Sequence, residues 1–113
     1  MTDKPKDPAA DQDSAATDAA ARMRQFRERI DRLDAEIVRL LNVRAECALA
    51  LGRLKEAVGL DTYQPERELA VLAHARAAND GPLDGEAITR LFERIIDENR
   101  RLERLAECKD THP

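Results

Sequence analysis

Tryptophan is absent from this chain of 113 residues, and aromatic residues make up only 3% of it. So few aromatic side chains argue against a β-rich core and favour a protein of long helices. Two cysteines, Cys47 and Cys108, are too few for a disulfide framework, and we expect both to be free thiols. The first twenty residues have no apolar core, which excludes a signal peptide or membrane span there. Cytoplasmic residence is therefore expected.

The chain also has little excess of charge of one sign, above all in the part that is expected to fold. Charged residues make up 37% of the chain, yet the net charge is only −4, so there is no basic footprint for a nucleic acid. The first twenty residues hold five Asp against two Lys and few large apolar side chains. We therefore predict a disordered tail at 1–21, a helical domain at 22–107 and a short tail at 108–113.

The remaining pattern predicts three helices, one long, one short and one of medium length. The first is expected from about Arg22 to Val58, with Gly59 ending it as the C′ residue. Pro65 suits the first position of the second helix, and the turn sequence 79–82 ends it. Asp84 is the expected N-cap of the third helix. No strand pattern occurs, so the predicted fold is all-α, with Leu69, Leu72 and Ala75 facing inward from the second helix.

Ten positions in the first helix alternate in steps of four and three, which places them on one face. We call this face the packing stripe, and it consists of Phe26, Ile30, Leu33, Ile37, Leu40, Arg44, Cys47, Leu51, Leu54 and Val58. Arg44 is its one charged member. A guanidinium on a packing face needs an anion, which is either a protein carboxylate such as that of Glu103 or a ligand.

The length of the first helix has a consequence for assembly. Some 37 residues make a rod of roughly 55 Å, whereas a domain of this size is only about 30 Å across. Two shorter helices do not cover the whole packing stripe, so we expect an intertwined homodimer with antiparallel long helices. The alternative is a monomeric bundle in which the first helix bends or ends early at Gly52.

Arg44 and Lys55 are eleven residues apart, which puts them on one face about 16 Å apart along the axis. Their long side chains can bracket a small ligand. Arg27 lies about 25 Å from Arg44 and well round the helix, so it reaches such a ligand only from an antiparallel partner. The third helix adds Asn99 and Glu103 on one face.

Each of these polar residues also has an ordinary structural explanation. Lys55 complements a helix C-terminus, Arg67 and Glu68 form a solvated pair, and Asn99 makes an interhelical hydrogen bond. Taken together, the cations of this set exceed its acids by two charges, which suits a small dicarboxylate. The four cations are Arg27, Arg44, Lys55 and Arg67, and the two acids are Glu68 and Glu103. With no histidine, activated nucleophile or metal-ligand cluster among them, they suit positioning and electrostatic chemistry without a cofactor or metal.

The spacing of these residues resembles that of a known enzyme family. The first helix reads Arg27-x-x-Ile30-Asp31-x-x-Asp34-x-x-Ile37-x-x-Leu40-Leu41-x-x-Arg44, followed by Gly52-x-x-Lys55, Pro65-Glu66-Arg67-Glu68, Asn79-x-Gly81-Pro82-Leu83 and Ile88-x-x-Leu91-Phe92-x-x-Ile95-Ile96. Over residues 23–106 this resembles the AroQ-class chorismate mutases. The resemblance implies an intertwined helical dimer that rearranges chorismate to prephenate, a step toward phenylalanine and tyrosine.

The resemblance also implies roles for individual residues. Arg44 and the Arg27 contributed by the other chain would bind the two substrate carboxylates, and Lys55 would donate to the ether oxygen. Glu68 would accept from the ring hydroxyl, with Arg67 and Asn99 at a carboxylate.

Two positions differ from the commonest bacterial pattern of that family. Gln64 replaces an Asp before Pro65 that can cap the helix and face the ring hydroxyl. The resemblance therefore implies a substrate-binding position for Gln64, although glutamine is a poorer helix cap. Glu103 replaces a Gln that donates to the ether oxygen, and a carboxyl group donates only when it is protonated. We therefore expect Glu103 to act with a pKa raised by burial.

Other functions remain compatible with these residues. Isochorismate-pyruvate lyase and aminodeoxychorismate mutase use similar cationic pockets on the same scaffold. A non-catalytic helical dimerisation module, with Arg44 paired to Glu103, is the alternative of another class. The length of the chain leads us to expect a monofunctional enzyme without a fused second domain.

Overall fold

A computed structural model of the chain describes residues 8–110, with side chains described for residues 12–107. It contains three α-helices, α1 (Pro8–Ala57), α2 (Pro65–Ala77) and α3 (Gly85–Asp110), and no strand within the described range. The predicted all-α fold of one long, one short and one medium helix is confirmed. The ends of both predicted tails, residues 1–7 and 111–113, and the Cys108 side chain lie outside the described residues.

The start of the first helix differs from the prediction. Helix α1 begins at Pro8 rather than near Arg22, so residues 8–21 are helical and not irregular. Seven of residues 9–21 are alanine, the strongest helix former, and proline suits the first helical position. Backbone propensity therefore extends the helix where few large apolar side chains are present. Where the tail ends and the domain begins stays a prediction.

The end of α1 and the start of α3 form where the local sequence predicts them. Gly59 has a φ of 73°, and the Leu60 N–H donates to the Lys55 carbonyl over 2.8 Å, as in a Schellman motif. Helix α1 therefore continues past Gly52, against the alternative of an early end. At the other connection, the Asp84 carboxylate accepts from the Ala87 N–H at 2.7 Å, which confirms it as the N-cap of α3.

The chain divides into two compact units, Met1–Arg39 and Leu40–Pro113. The described part of the first unit consists of α1 alone. Its members of the packing stripe are exposed by half or more of their surface: Phe26 by 59%, Ile30 by 53%, Leu33 by 51% and Ile37 by 52%. A single chain therefore leaves this apolar face uncovered.

In the second unit, α2 packs against α3, and the end of α1 contacts α3 through side chains. Ala75 of α2 is buried and Leu72 is half-buried, but the expectation that Leu69 faces inward is wrong, since it is 69% exposed. Ala75 is the only buried residue among positions 12–107, and it keeps 8% of its surface exposed. Three helices of this length enclose little volume, so most side chains between them remain partly accessible.

Candidate active site

A cleft of about 290 Å³ lies in the second unit between the end of α1, the start of α2 and the middle of α3. Seven of the eight residues predicted for the site line it: Arg44, Lys55, Gln64, Arg67, Glu68, Asn99 and Glu103. The eighth, Arg27, is exposed on α1 in the first unit, and all lining residues of this cleft come from the second unit.

Arg44 binds an amide and not a carboxylate. Its Nη1 donates to Asn99 Oδ1 over 2.6 Å, a half-buried contact between α1 and α3. Asn99 is the interhelical hydrogen-bond partner that its position on the α3 face predicts, and it is also a wall of the cleft. This hydrogen bond orients the guanidinium while leaving its charge uncompensated.

Three cations of the cleft have no ion-pair partner. Within residues 12–107, no carboxylate oxygen lies within 4.0 Å of the charged nitrogens of Arg44, Lys55 or Arg67. The interpretation in which Glu103 neutralises Arg44 is therefore wrong. A concave site that holds several unpaired cations provides binding energy for an anionic ligand.

Glu103 projects from α3, and its carboxyl group stands close to Gly52 of α1. A Cβ atom at Gly52 would stand 3.8 Å from the Glu103 carboxyl carbon, an ordinary van der Waals distance, so the carboxyl group lies against this part of α1. Burial raises the pKa of Glu103, and Glu107 raises it further, while Lys55 and Arg100 oppose the increase. The direction agrees with the expectation of a carboxyl group that is protonated more readily than usual.

Arg100 also lines the cleft, and the sequence interpretation did not single it out. It forms an ion pair with Glu68 of α2, approaches Asp97 at 3.9 Å and places its guanidinium 5.1 Å from the centre of the Tyr63 ring. In the sequence it is one of several arginines on α3 and is followed directly by Arg101. Only the position of α2 distinguishes Arg100 from these solvated neighbours.

Gln64 stands directly before the first residue of α2. Gln64 occupies the N-cap position of α2 but makes no capping hydrogen bond, as expected for glutamine, and it lines the cleft.

Cys47 was expected to pack as part of the stripe. It is instead an exposed free thiol that lines the cleft.

The described residues contain neither a metal-ligand cluster nor a membrane-spanning helix. No group of three or more His, Cys, Asp or Glu side chains stands close enough together there to hold a metal ion. No helix in the same range is both long and apolar enough to cross a membrane.

Comparison with known proteins agrees with the all-helical fold. The sequence model of the family chorismate mutase type II matches residues 26–104. The chain therefore belongs to the chorismate mutase type II family, a class of all-helical enzymes.

Individual relatives differ in how much of their own length this chain covers. Over 78 residues it is 47% identical to a bifunctional chorismate mutase/prephenate dehydratase of Neisseria gonorrhoeae, covering 69% of this chain and 21% of the relative. It is 41% identical over 70 residues to an intracellular chorismate mutase of Mycobacterium bovis, covering 62% and 64%. A chorismate mutase structure from Thermus thermophilus aligns with a TM-score of 0.71 at 38% identity, covering 74% of this chain and 94% of that one. The chain spans about a fifth of the length of the bifunctional relatives.

Proposed function

We propose that this protein is a chorismate mutase, which converts chorismate to prephenate in the biosynthesis of phenylalanine and tyrosine. The observation that carries the proposal is a cleft lined by Glu103 and by three cations without an ion-pair partner among the described residues, Arg44, Lys55 and Arg67. Its volume of about 290 Å³ lies near the lower end of small-molecule sites. Chorismate carries two carboxylates, and the unpaired cations match that charge.

The reaction is a concerted [3,3] rearrangement, in which one C–O bond breaks while one C–C bond forms. It needs no nucleophile, base or cofactor. The protein has to hold the ring and the enolpyruvyl side chain in a compact conformer and to stabilise the negative charge that grows on the ether oxygen. Fixed cations and hydrogen-bond donors, which this cleft contains, perform both tasks.

The side chains divide these tasks among them. Arg44 binds one substrate carboxylate with its forked donors, held in orientation by Asn99. Lys55 of α1 and protonated Glu103 of α3 donate to the ether oxygen. Glu68 accepts from the ring hydroxyl, Arg67 supports a carboxylate, and Gln64 completes the wall at the start of α2.

The direct test is to follow the loss of chorismate absorbance with purified protein and to identify prephenate as the product. Isochorismate and aminodeoxychorismate, offered in parallel, separate the mutase from a lyase or an amino-substrate mutase on the same scaffold. Turnover of chorismate alone supports the proposal. Turnover of isochorismate with release of pyruvate, or no turnover of any of the three, contradicts it.

The second part of the proposal concerns assembly. We infer an intertwined homodimer in which Arg27 of each chain completes the cleft of the other. The four packing-stripe side chains on α1 of the first unit are half exposed or more, and covering such a side chain contributes about 1–2 kcal/mol. A second copy of the chain offers the same apolar face in return, which is the arrangement of a two-fold interface.

Mixing two inactive variants tests this shared site. Arg27→Ala and Arg44→Ala are each expected to be inactive as homodimers. After denaturation and refolding together, half of the dimers are mixed and each holds one intact cleft, so roughly a quarter of wild-type activity returns. No recovery, although light scattering shows a dimer of twice 12.7 kDa, would contradict a site shared between chains.

The compartment and the number of domains in the natural protein remain predictions. Cytoplasmic residence is supported by the Mycobacterium bovis relative, which is described as intracellular. Expression in the native cell followed by fractionation and immunoblotting measures both.

A further inference from the structure

Arg100 connects three elements around the cleft. Its guanidinium forms an ion pair with Glu68 Oε1 in the first turn of α2 and stands 5.1 Å from the centre of the Tyr63 ring in the preceding loop. Both partners of the ion pair are shielded, with side chains about one-third exposed or less. Solvent screens this ion pair less than the more exposed pairs that Arg94 and Arg101 make with Glu98 on the same helix.

Glu68 is a residue that needs such support. Its long side chain has three rotatable bonds, and it projects from the first turn of α2, where Gln64 makes no capping hydrogen bond. An acceptor for a substrate hydroxyl contributes most when it is held in place before the substrate arrives. An ionised carboxylate has room for about four hydrogen bonds, so pairing with one arginine leaves acceptor capacity for a ligand.

We propose that Arg100 is a positioning residue, whose ion pair with Glu68 and stacking on Tyr63 hold the Glu68 carboxylate ready to accept the hydroxyl of the substrate ring. This inference rests on the proposed function, because it assigns Arg100 a task at the same cleft. It differs from two other possibilities. Arg100 could bind a substrate carboxylate directly, or it could only tie α2 to α3.

A double-mutant cycle separates the three possibilities. Arg100→Gln is expected to lower kcat/KM for chorismate about tenfold in the wild-type background. In a Glu68→Gln background the same change is expected to lower it less than twofold, because the carboxylate that Arg100 positions is already gone. Arg100→Lys, which keeps the charge but loses the planar fork, is expected to recover part of the loss.

Arg101→Gln is the matched control. Arg101 is the next residue on α3, its side chain is 67% exposed, and it does not line the cleft. Its replacement is expected to leave kcat/KM unchanged. A tenfold loss from Arg100→Gln in both backgrounds would overturn the proposal in favour of direct substrate binding. A fall in melting temperature with normal kcat/KM would overturn it in favour of a structural tie.

Tyr63 provides a readout that does not depend on activity. It is the only tyrosine, and the chain has no tryptophan, so the intrinsic fluorescence above 300 nm comes from this ring. Arg100→Gln uncovers a ring face, so quenching by neutral acrylamide is expected to increase, while Arg101→Gln leaves it unchanged. Equal quenching in all three proteins would overturn the stacking. Wild-type protein that is inert toward chorismate but shows the quenching change would instead contradict only the proposed function.

Discussion

Arg44→Ala is expected to lower kcat/KM for chorismate by about 10³-fold with little change in stability. Loss of a single preorganised donor costs an enzyme about 10²–10³-fold, and Arg44 provides two or more donors and a full charge. Little stability is lost, since the polar partner of Arg44 among the described side chains is the Asn99 amide and not a carboxylate. Chorismate turnover and thermal melting of wild type and variant provide the measurement.

Arg44→Lys is the matched control for charge. It keeps the positive charge on the same helix face but loses the forked geometry, so an intermediate loss of activity is expected. A non-catalytic dimerisation module makes the opposite prediction, in which Arg44→Ala lowers the melting temperature by many degrees and there is no chorismate turnover to lose. That result would contradict the proposed function.

Glu103 is expected to make the activity depend on pH. Burial raises its pKa, and only the protonated carboxyl group donates to the ether oxygen, whereas the ionised form repels the negative charge that develops there. Activity is therefore full below the raised pKa and falls about tenfold per pH unit above it. In Glu103→Gln the amide donates at every pH, so this decline is expected to disappear.

Three charged neighbours set the position of that decline. Lys55 on α1 and Arg100 on α3 stabilise the ionised form, while Glu107 on α3 opposes it. The stability of the protein follows the same sign. Since the pKa is raised on folding, the contribution of Glu103 to the free energy of unfolding is present at low pH and is lost as the pH rises through the folded-state pKa.

Measuring kcat/KM from acid to alkaline pH for wild type and Glu103→Gln checks this prediction. Urea unfolding over the same range gives an independent measure, and the variant is expected to show a flatter pH dependence. Glu103→Ala serves as a control because it removes the donor altogether, and it is expected to be poorly active at every pH. Identical pH profiles for wild type and Glu103→Gln would contradict the role of a protonated carboxyl group.

Local signals in the sequence predicted much of the fold. Gly59 and Asp84 mark the end of α1 and the start of α3 because a positive φ and a capping carboxylate act within one turn of chain. The start of α1 was mispredicted for a comparable local reason. The alanines of residues 9–21 favour helix by backbone propensity, whereas the prediction weighed their lack of large apolar side chains.

The sequence by itself determined the all-helical fold and the face on which Arg44 and Lys55 lie, because helical periodicity is a property of neighbouring residues. Spacing and charge also marked six of the seven predicted residues that share one cleft, and the family resemblance added Gln64. Only the tertiary structure decided which side chains pair. Contact between α1 and α3 brings Arg44 to Asn99 and not to Glu103, and the approach of α2 to α3 selects Arg100 for Glu68. These choices depend on distances between helices that are remote in the chain, and no local pattern of residues specifies such distances.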